Sequence, residues 1–157
     1  MYLIDGNNVI GARVGWHRDK SAARKQLLVE LARFVQRKRA RVAVVFDGAP
    51  EINIEDGSSY RSVKVYFSGL HSDADSRILR FVEAERNRQA LTVVTSDGQL
   101  TQRVRACGVQ VIRAGVFRRI LEKTLSESDD GAPQIQAGEL SEWMRYFGVD
   151  ETDDELE

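Results

Sequence analysis

A chain of 157 residues has the size of one ordinary domain and buries about 70% of its unfolded surface without covalent help. Its single cysteine, Cys107, excludes an internal disulfide and a Cys-rich zinc site, and no apolar run or N-terminal leader pattern marks a membrane span or signal peptide, so a soluble, cytoplasmic protein is expected. The formal net charge of −1 hides a division: residues 1–128 hold 22 Lys and Arg against 14 Asp and Glu, whereas residues 129–157 hold 1 against 10, a basic body that attracts polyanions followed by an acidic tail.

In chain order, Tyr2-Leu3-Ile4-Asp5 reads as a short strand ending in a carboxylate, and Gly6-Asn7-Asn8 as the loop after it. From Ser21, read as the cap, a helical period places Ala23, Leu27, Leu28, Leu31, Ala32 and Val35 on one face. Val42-Ala43-Val44-Val45-Phe46 is apolar throughout, which fits a strand covered on both faces, and it too ends in an acid, Asp47. Residues 49–62 read as a long loop, and Val63–Phe67 as a third strand. A helix from about Asp73 to Arg88, a strand Leu91–Thr95 leading to Ser96-Asp97, a helix from about Gln99 to Ala106, a strand Val109–Ile112 and a helix Val116–Leu125 complete the core.

Strands alternating with helices at this spacing imply a mainly parallel α/β sheet with helices on both faces, a three-layer fold. The domain is placed at residues 1–125, with an acidic linker over 126–138. The segment 139–157 carries a short amphipathic stretch, Leu140, Trp143, Met144 and Phe147, and the acidic tail.

In an open parallel sheet, ligands bind beyond the carboxyl ends of the strands. Asp5, Asp47 and Asp97 arrive there from strand ends, and Asp73 and Asp75 from a helix start on the same edge. Singly, each has a structural explanation: a turn before glycine, a cap at Ser96-Asp97, an S-x-x-D capping box from Ser72 to Asp75. Together they repel one another unless a cation shares the edge. At 3.6 residues per turn, Asp75 lies roughly 60° from the core residue Ile78 and Asp73 roughly 140° away, so Asp75 is the inward candidate and Asp73 an outer one. Carboxylates without His or Cys clusters are hard donors suited to Mg²⁺ or Mn²⁺, ions that activate water and stabilise a phosphodiester under attack.

The motifs Leu3-Ile4-Asp5-Gly6-Asn7-Asn8, Val45-Phe46-Asp47-Gly48, Asp73-Ala74-Asp75 and Thr95-Ser96-Asp97, in this order, resemble the NYN domains of PIN-like nucleases, particularly the bacterial YacP-like group. The resemblance covers residues 2 to 120 and implies a metal-dependent endoribonuclease. It implies that Asp5, Asp47, Asp75 and Asp97 hold the metal and its water, and that Asn8 supplies a neutral oxygen or hydrogen bond near the phosphate.

Arg13, Arg18, Lys20, Arg24 and Arg77, with Ser96 at the edge and Arg80 nearby, are the candidate contacts to an RNA backbone, set against the alternative of an ordinary charged surface. Trp16 and Tyr60 are candidates for base stacking or, more simply, for packing. His17 and His71 read as surface histidines, and Cys107 as a small apolar residue at a helix end. No phosphate-binding glycine motif of nucleotide or dinucleotide sites is present. The leading expectation is an endoribonuclease. Its rivals are a non-catalytic RNA-binding adaptor, with a ribosome-associated factor as its partner, and a structure-specific DNA nuclease.

Overall fold

The apolar runs become a sheet whose middle strands are covered on both sides. The computed structural model describes residues 1–11, 19–51 and 54–127. Six strands lie in the order β3-β4-β2-β1-β5-β6, with β1 Tyr2–Asp5, β2 Val42–Phe46, β3 Ser58–Tyr60, β4 Val63–Phe67, β5 Thr92–Val94 and β6 Gln110–Ile112. All neighbours run parallel except β3, which folds back antiparallel on β4 at the edge. Every residue of β2 is buried, the reason its sequence shows no polar alternation.

Among the described residues five α-helices cover the two faces. On one side α1 Gly6–Gly11, α2 Lys20–Lys38 and α5 Ala114–Glu127 pack on Ile4, Val44, Val65 and Val94. There Tyr2, Phe34 and Phe117 form an aromatic cluster with ring centroids 5.5–5.8 Å apart. On the other side α3 Ala74–Ala84 and α4 Gly98–Ala106 cover Leu3, Ala43, Val45 and Val93. Adjacent residues of one strand thus serve opposite layers. No described helix is long and apolar enough to cross a membrane.

Several local expectations change. Asp19, not Ser21, caps α2, its carboxylate accepting from the Ala22 N–H at 3.0 Å, and Ser21 donates instead to Glu51. Asp73, rather than Ser72, caps α3, which ends at Ala84, with Arg88 in a separate 3-10 turn Arg88–Ala90. Gly6-Asn7-Asn8 opens the helix α1 instead of a loop, and the stretch read as a long loop contains β3. The last helix begins at Ala114 and runs through Glu127, two residues further at each end than its periodicity indicates. Tyr60 is 2% exposed and packs in the core, so it does not stack on bases. Arg13, Trp16, His17, Arg18 and the segment from 128 onward lie outside the described residues.

The chain leaves β1 toward β2 and β4, then returns past it to β5 and β6. The order reverses between β1 and β5, which opens a crevice at their carboxyl ends where ligands of such sheets settle. Asp5 ends β1 there, and Thr95-Ser96-Asp97 follows β5.

Candidate active site

Asp5 is only 1% exposed, yet it is ionisable and faces no cation among the described residues. Its Oδ2 accepts from the Asn8 Nδ2 at 2.9 Å and from the Thr95 hydroxyl at 3.1 Å. Burial pushes its carboxyl up to about 7, with the Thr95 hydroxyl opposing and the charges of Asp75 and Asp47 adding to the rise. Asp75, in the first turn of α3 and partly buried, is pushed up to about 6 by desolvation and then by Asp97, Asp73 and Asp47. The four predicted acids therefore do meet on one edge, since each perturbs or is perturbed by another.

Local hydrogen bonds fix them. Asp47 Oδ1 accepts from the Ala74 N–H at 2.7 Å, joining the end of β2 to the start of α3. Asp97 caps α4 through the Leu100 N–H at 2.8 Å. Asp73, exposed, accepts from the Ser76 N–H at 2.7 Å, which holds its carboxyl below the usual range; it is a helix cap that adds negative charge to Asp75. Asp47 and Asp97 each keep one carboxylate oxygen without a hydrogen bond among the described residues, and Asp75 keeps both.

Two asparagines set the spacing of the strand ends. Asn7 accepts from the Asp47 N–H at 3.1 Å, tying β1 to β2. The Asn8 side chain accepts from the Ser96 N–H at 3.0 Å while donating to Asp5, tying β1 to β5. Both ends of the Asn8 amide thus make a bond within the protein, one donated to Asp5 and one accepted from Ser96. Gly6 permits this arrangement: a Cβ there would stand 2.5 Å from the Phe46 ring, so the helix start lies directly on β2.

The cationic candidates divide. Arg24 Nη1 pairs with Glu51 at 3.2 Å, its Nη2 donates to the Asp47 carbonyl at 3.0 Å, and the guanidinium lies 5.6 Å from the Phe46 ring centre. Arg77 pairs with Asp56 at 2.9 Å, donates to the Phe67 carbonyl and stacks over Tyr66 and Phe81. These two guanidiniums are committed to the scaffold. Lys20 begins α2 and is exposed, as are Arg80 and His71. Ser96 is exposed at the edge, its hydroxyl accepting from the Ala114 N–H at 3.0 Å.

Sequence reasoning passed over Asn7 and Thr95. The Thr95 hydroxyl also accepts from the Asp97 N–H at 3.2 Å, so one side chain orients two acids. The signal was the three-residue run Thr95-Ser96-Asp97, in which only the last two were given roles.

The donor set is one of hard oxygens only, the chemistry that Mg²⁺ or Mn²⁺ requires. Among the described residues, however, no group of three or more His, Cys, Asp or Glu side chains is already assembled to hold a metal ion. The carboxylates share an edge and raise the Asp5 and Asp75 carboxyls without converging on one point.

A three-layer, mostly parallel sheet with aspartates gathered at its carboxyl edge is the architecture of a nuclease-type, PIN-like fold. The family model for the YacP-like NYN domain matches residues 2–146, and the chain belongs to that family. Two crystal structures of Rae1 (YacP) from Bacillus subtilis share its fold. The W164L mutant has a TM-score of 0.68 at 24% identity, covering 82% of this chain and 78% of that one. The other has a TM-score of 0.65 at 26% identity, covering 82% and 77%. No curated protein sequence matches the chain. The domain is thus nuclease-like and RNA-related.

Proposed function

We propose that this protein is a metal-dependent endoribonuclease that hydrolyses RNA phosphodiester bonds at the carboxyl edge of the sheet. The observation that carries the reading is the gathering of Asp5, Asp47, Asp75 and Asp97, from four separate segments, on one edge with no Lys or Arg paired to them among the described residues; burial and this mutual charge push the Asp5 and Asp75 carboxyls up to about 7 and about 6. Negative charge held in place against its own repulsion favours divalent cation binding.

In this reading Asp5, Asp47, Asp75 and Asp97 hold Mg²⁺ or Mn²⁺. When bound, the ion supplies charge neutralisation and a more acidic water. The chain's own residues hold the acids still. Asn8 and Thr95 fix Asp5 Oδ2 while the Asn8 N–H reaches Oδ1, the Ala74 N–H fixes Asp47, and the Leu100 N–H fixes Asp97, the last two each keeping one oxygen without a hydrogen bond among the described residues. Asp73 contributes field rather than a ligand.

The test is end-labelled RNA incubated with the purified protein in Mn²⁺ or in EDTA. Cleavage is expected in Mn²⁺ alone, reduced at least about 100-fold by Asp5→Asn or Asp97→Asn. Cleavage that survives EDTA or both substitutions would contradict the proposal. Matched DNA substrates separate it from a DNA nuclease. One observation favours a second reading, an RNA-binding adaptor that docks without turnover, for instance at a ribosome-associated site: among the described residues the acids are not assembled into a metal cage. That reading expects salt-sensitive RNA binding with no product under any metal.

A further inference from the structure

Beside the acidic edge, a cleft of about 510 Å³ runs between α4 and β6. One wall is a single face of α4, with Gly98, Thr101, Gln102 and Arg105 at the i, i+3, i+4, i+7 positions, while the opposite face buries Leu100 and Val104. The other wall is Val111 and Arg113, and Ser96 closes the end next to the aspartates. We infer that this cleft seats a short stretch of single-stranded RNA backbone leading from the acidic edge, with Arg105 and Arg113 as its phosphate contacts; the ligand's identity rests on the RNA-cleaving reading.

Three features carry the inference. The first is charge: no carboxylate lines the cleft, and among the described residues neither guanidinium makes an ion pair or hydrogen bond, although Arg24, Arg77, Arg88 and Arg118 all do. Two open cations across one groove repel each other until an anion lies between them.

The second is continuity. Ser96 belongs to both places, because its N–H bonds to the Asn8 amide that also holds Asp5, and the cleft begins one residue from Asp97. From Gly98 to Arg105 the helix advances about 10 Å, a length that suits a few linked phosphates better than one free ion. The third is wall chemistry. No aromatic side chain lines the cleft, so it offers no stacking platform, and contact falls on the backbone rather than the bases.

The experiment measures fluorescence anisotropy of a labelled single-stranded RNA of about 12 nucleotides, in EDTA, across a salt series. It compares the unaltered protein with Arg105→Glu, Arg113→Glu, the double variant, and Arg86→Glu as a control on an exposed arginine beyond the C-terminus of α3. Each cleft reversal should weaken binding at least about 5-fold. The double variant should lower the slope of log affinity against log salt by about 1.4, two phosphates at about 0.7 each. Arg105→Gln with Arg113→Gln gives the same ranking with a smaller drop, should charge reversal disturb folding. Binding by the double variant equal to that of the Arg86 variant overturns the inference, as does an absence of RNA binding by the unaltered protein.

Hydrolysis of bis(p-nitrophenyl) phosphate in Mn²⁺ keeps the two readings apart. The double variant is expected to retain it while losing RNA cleavage. RNA bound through the cleft with no hydrolysis of any substrate overturns the nuclease reading alone, whereas full hydrolysis with undiminished RNA binding in the double variant overturns the cleft alone.

Discussion

The protein treats its carboxylates in two ways. On the flanks, Glu30, Glu51 and Asp56 each face an arginine at 2.9–3.2 Å. At the carboxyl edge of the sheet, Asp5, Asp47, Asp75 and Asp97 face one another instead. Among the described residues, Arg24 and Arg77, on the elements that flank the edge, are drawn off by Glu51 and Asp56 and by aromatic faces. Neutralisation is thus available within reach and spent elsewhere, so the negative edge is a product of the pairing pattern and not of acid content.

The sharpest way to probe the flank side is the pair between Arg118 on α5 and Glu30 on α2, whose Nη1 meets both carboxylate oxygens at 3.0 Å with both side chains largely buried. Arg118→Ala strands that carboxylate and should cost about 3–4 kcal/mol in urea unfolding. A loss under about 1 kcal/mol would mean the pair is solvated and the contrast between regions is overstated.

On the edge side the sign reverses. Asp5, with a folded value of about 7 against an ordinary 3.8, binds a proton in the folded chain but not in the unfolded one between these pH values. Its contribution to stability therefore falls as pH rises from about 4 to about 7, and Asp75 adds a smaller fall that ends near 6. In EDTA at pH 8, Asp5→Asn should stabilise the protein by about 2–3 kcal/mol, less than the full shift because the amide repacks imperfectly, and the gain should vanish near pH 4. Saturating Mn²⁺ at pH 8 should raise the Tm of the unaltered protein and leave that of the variant nearly unmoved. A destabilised variant at pH 8 would show that the edge acids are not under electrostatic stress.

Gly6→Ala tests the platform beneath both. The new methyl would meet the Phe46 ring, itself 1% exposed and packed against Phe67, and should cost about 1–2 kcal/mol with a matching loss of Tm. Smallest is Asp73→Ala, which removes the α3 cap and should cost about 1 kcal/mol while easing the pressure on the Asp75 carboxyl. An unchanged Asp75 titration by NMR in that variant would sever the link between cap and edge.

The central strands were legible because β2 is buried on both faces and carries no polar residue to obscure it. The acids were legible because each follows an apolar run and so falls on the same edge. What escaped was set by contacts distant in sequence. Gly6, Asn7 and Asn8 are weak helix formers, and the six residues of α1 are too few to show a period; their amides bonding to Asp47 and Ser96, 40 and 88 residues away, hold the helix start in place. β3 is three residues with two serines, recruited to the edge by β4. Nothing local told Arg24 and Arg77 from free cations, since their partners lie 27 and 21 residues off. The polar face of α4 was present in the sequence as the spacing of Thr101, Gln102 and Arg105, but it gained meaning only when β6 brought Arg113 opposite.

The two asparagines of α1 act as a gauge between three strand ends, because Asn7 and Asn8 tie β1 to both neighbours through side-chain amides. The separation of Asp5 from Asp47 and from the segment after β5 is thus set by side chains of one short helix. The two positions are not equivalent under substitution: an aspartate at 7 preserves the acceptor that Asp47 needs, whereas one at 8 forfeits the donor to Asp5 and crowds a further anion against it. Position 8 is where a single atom's change would release Asp5.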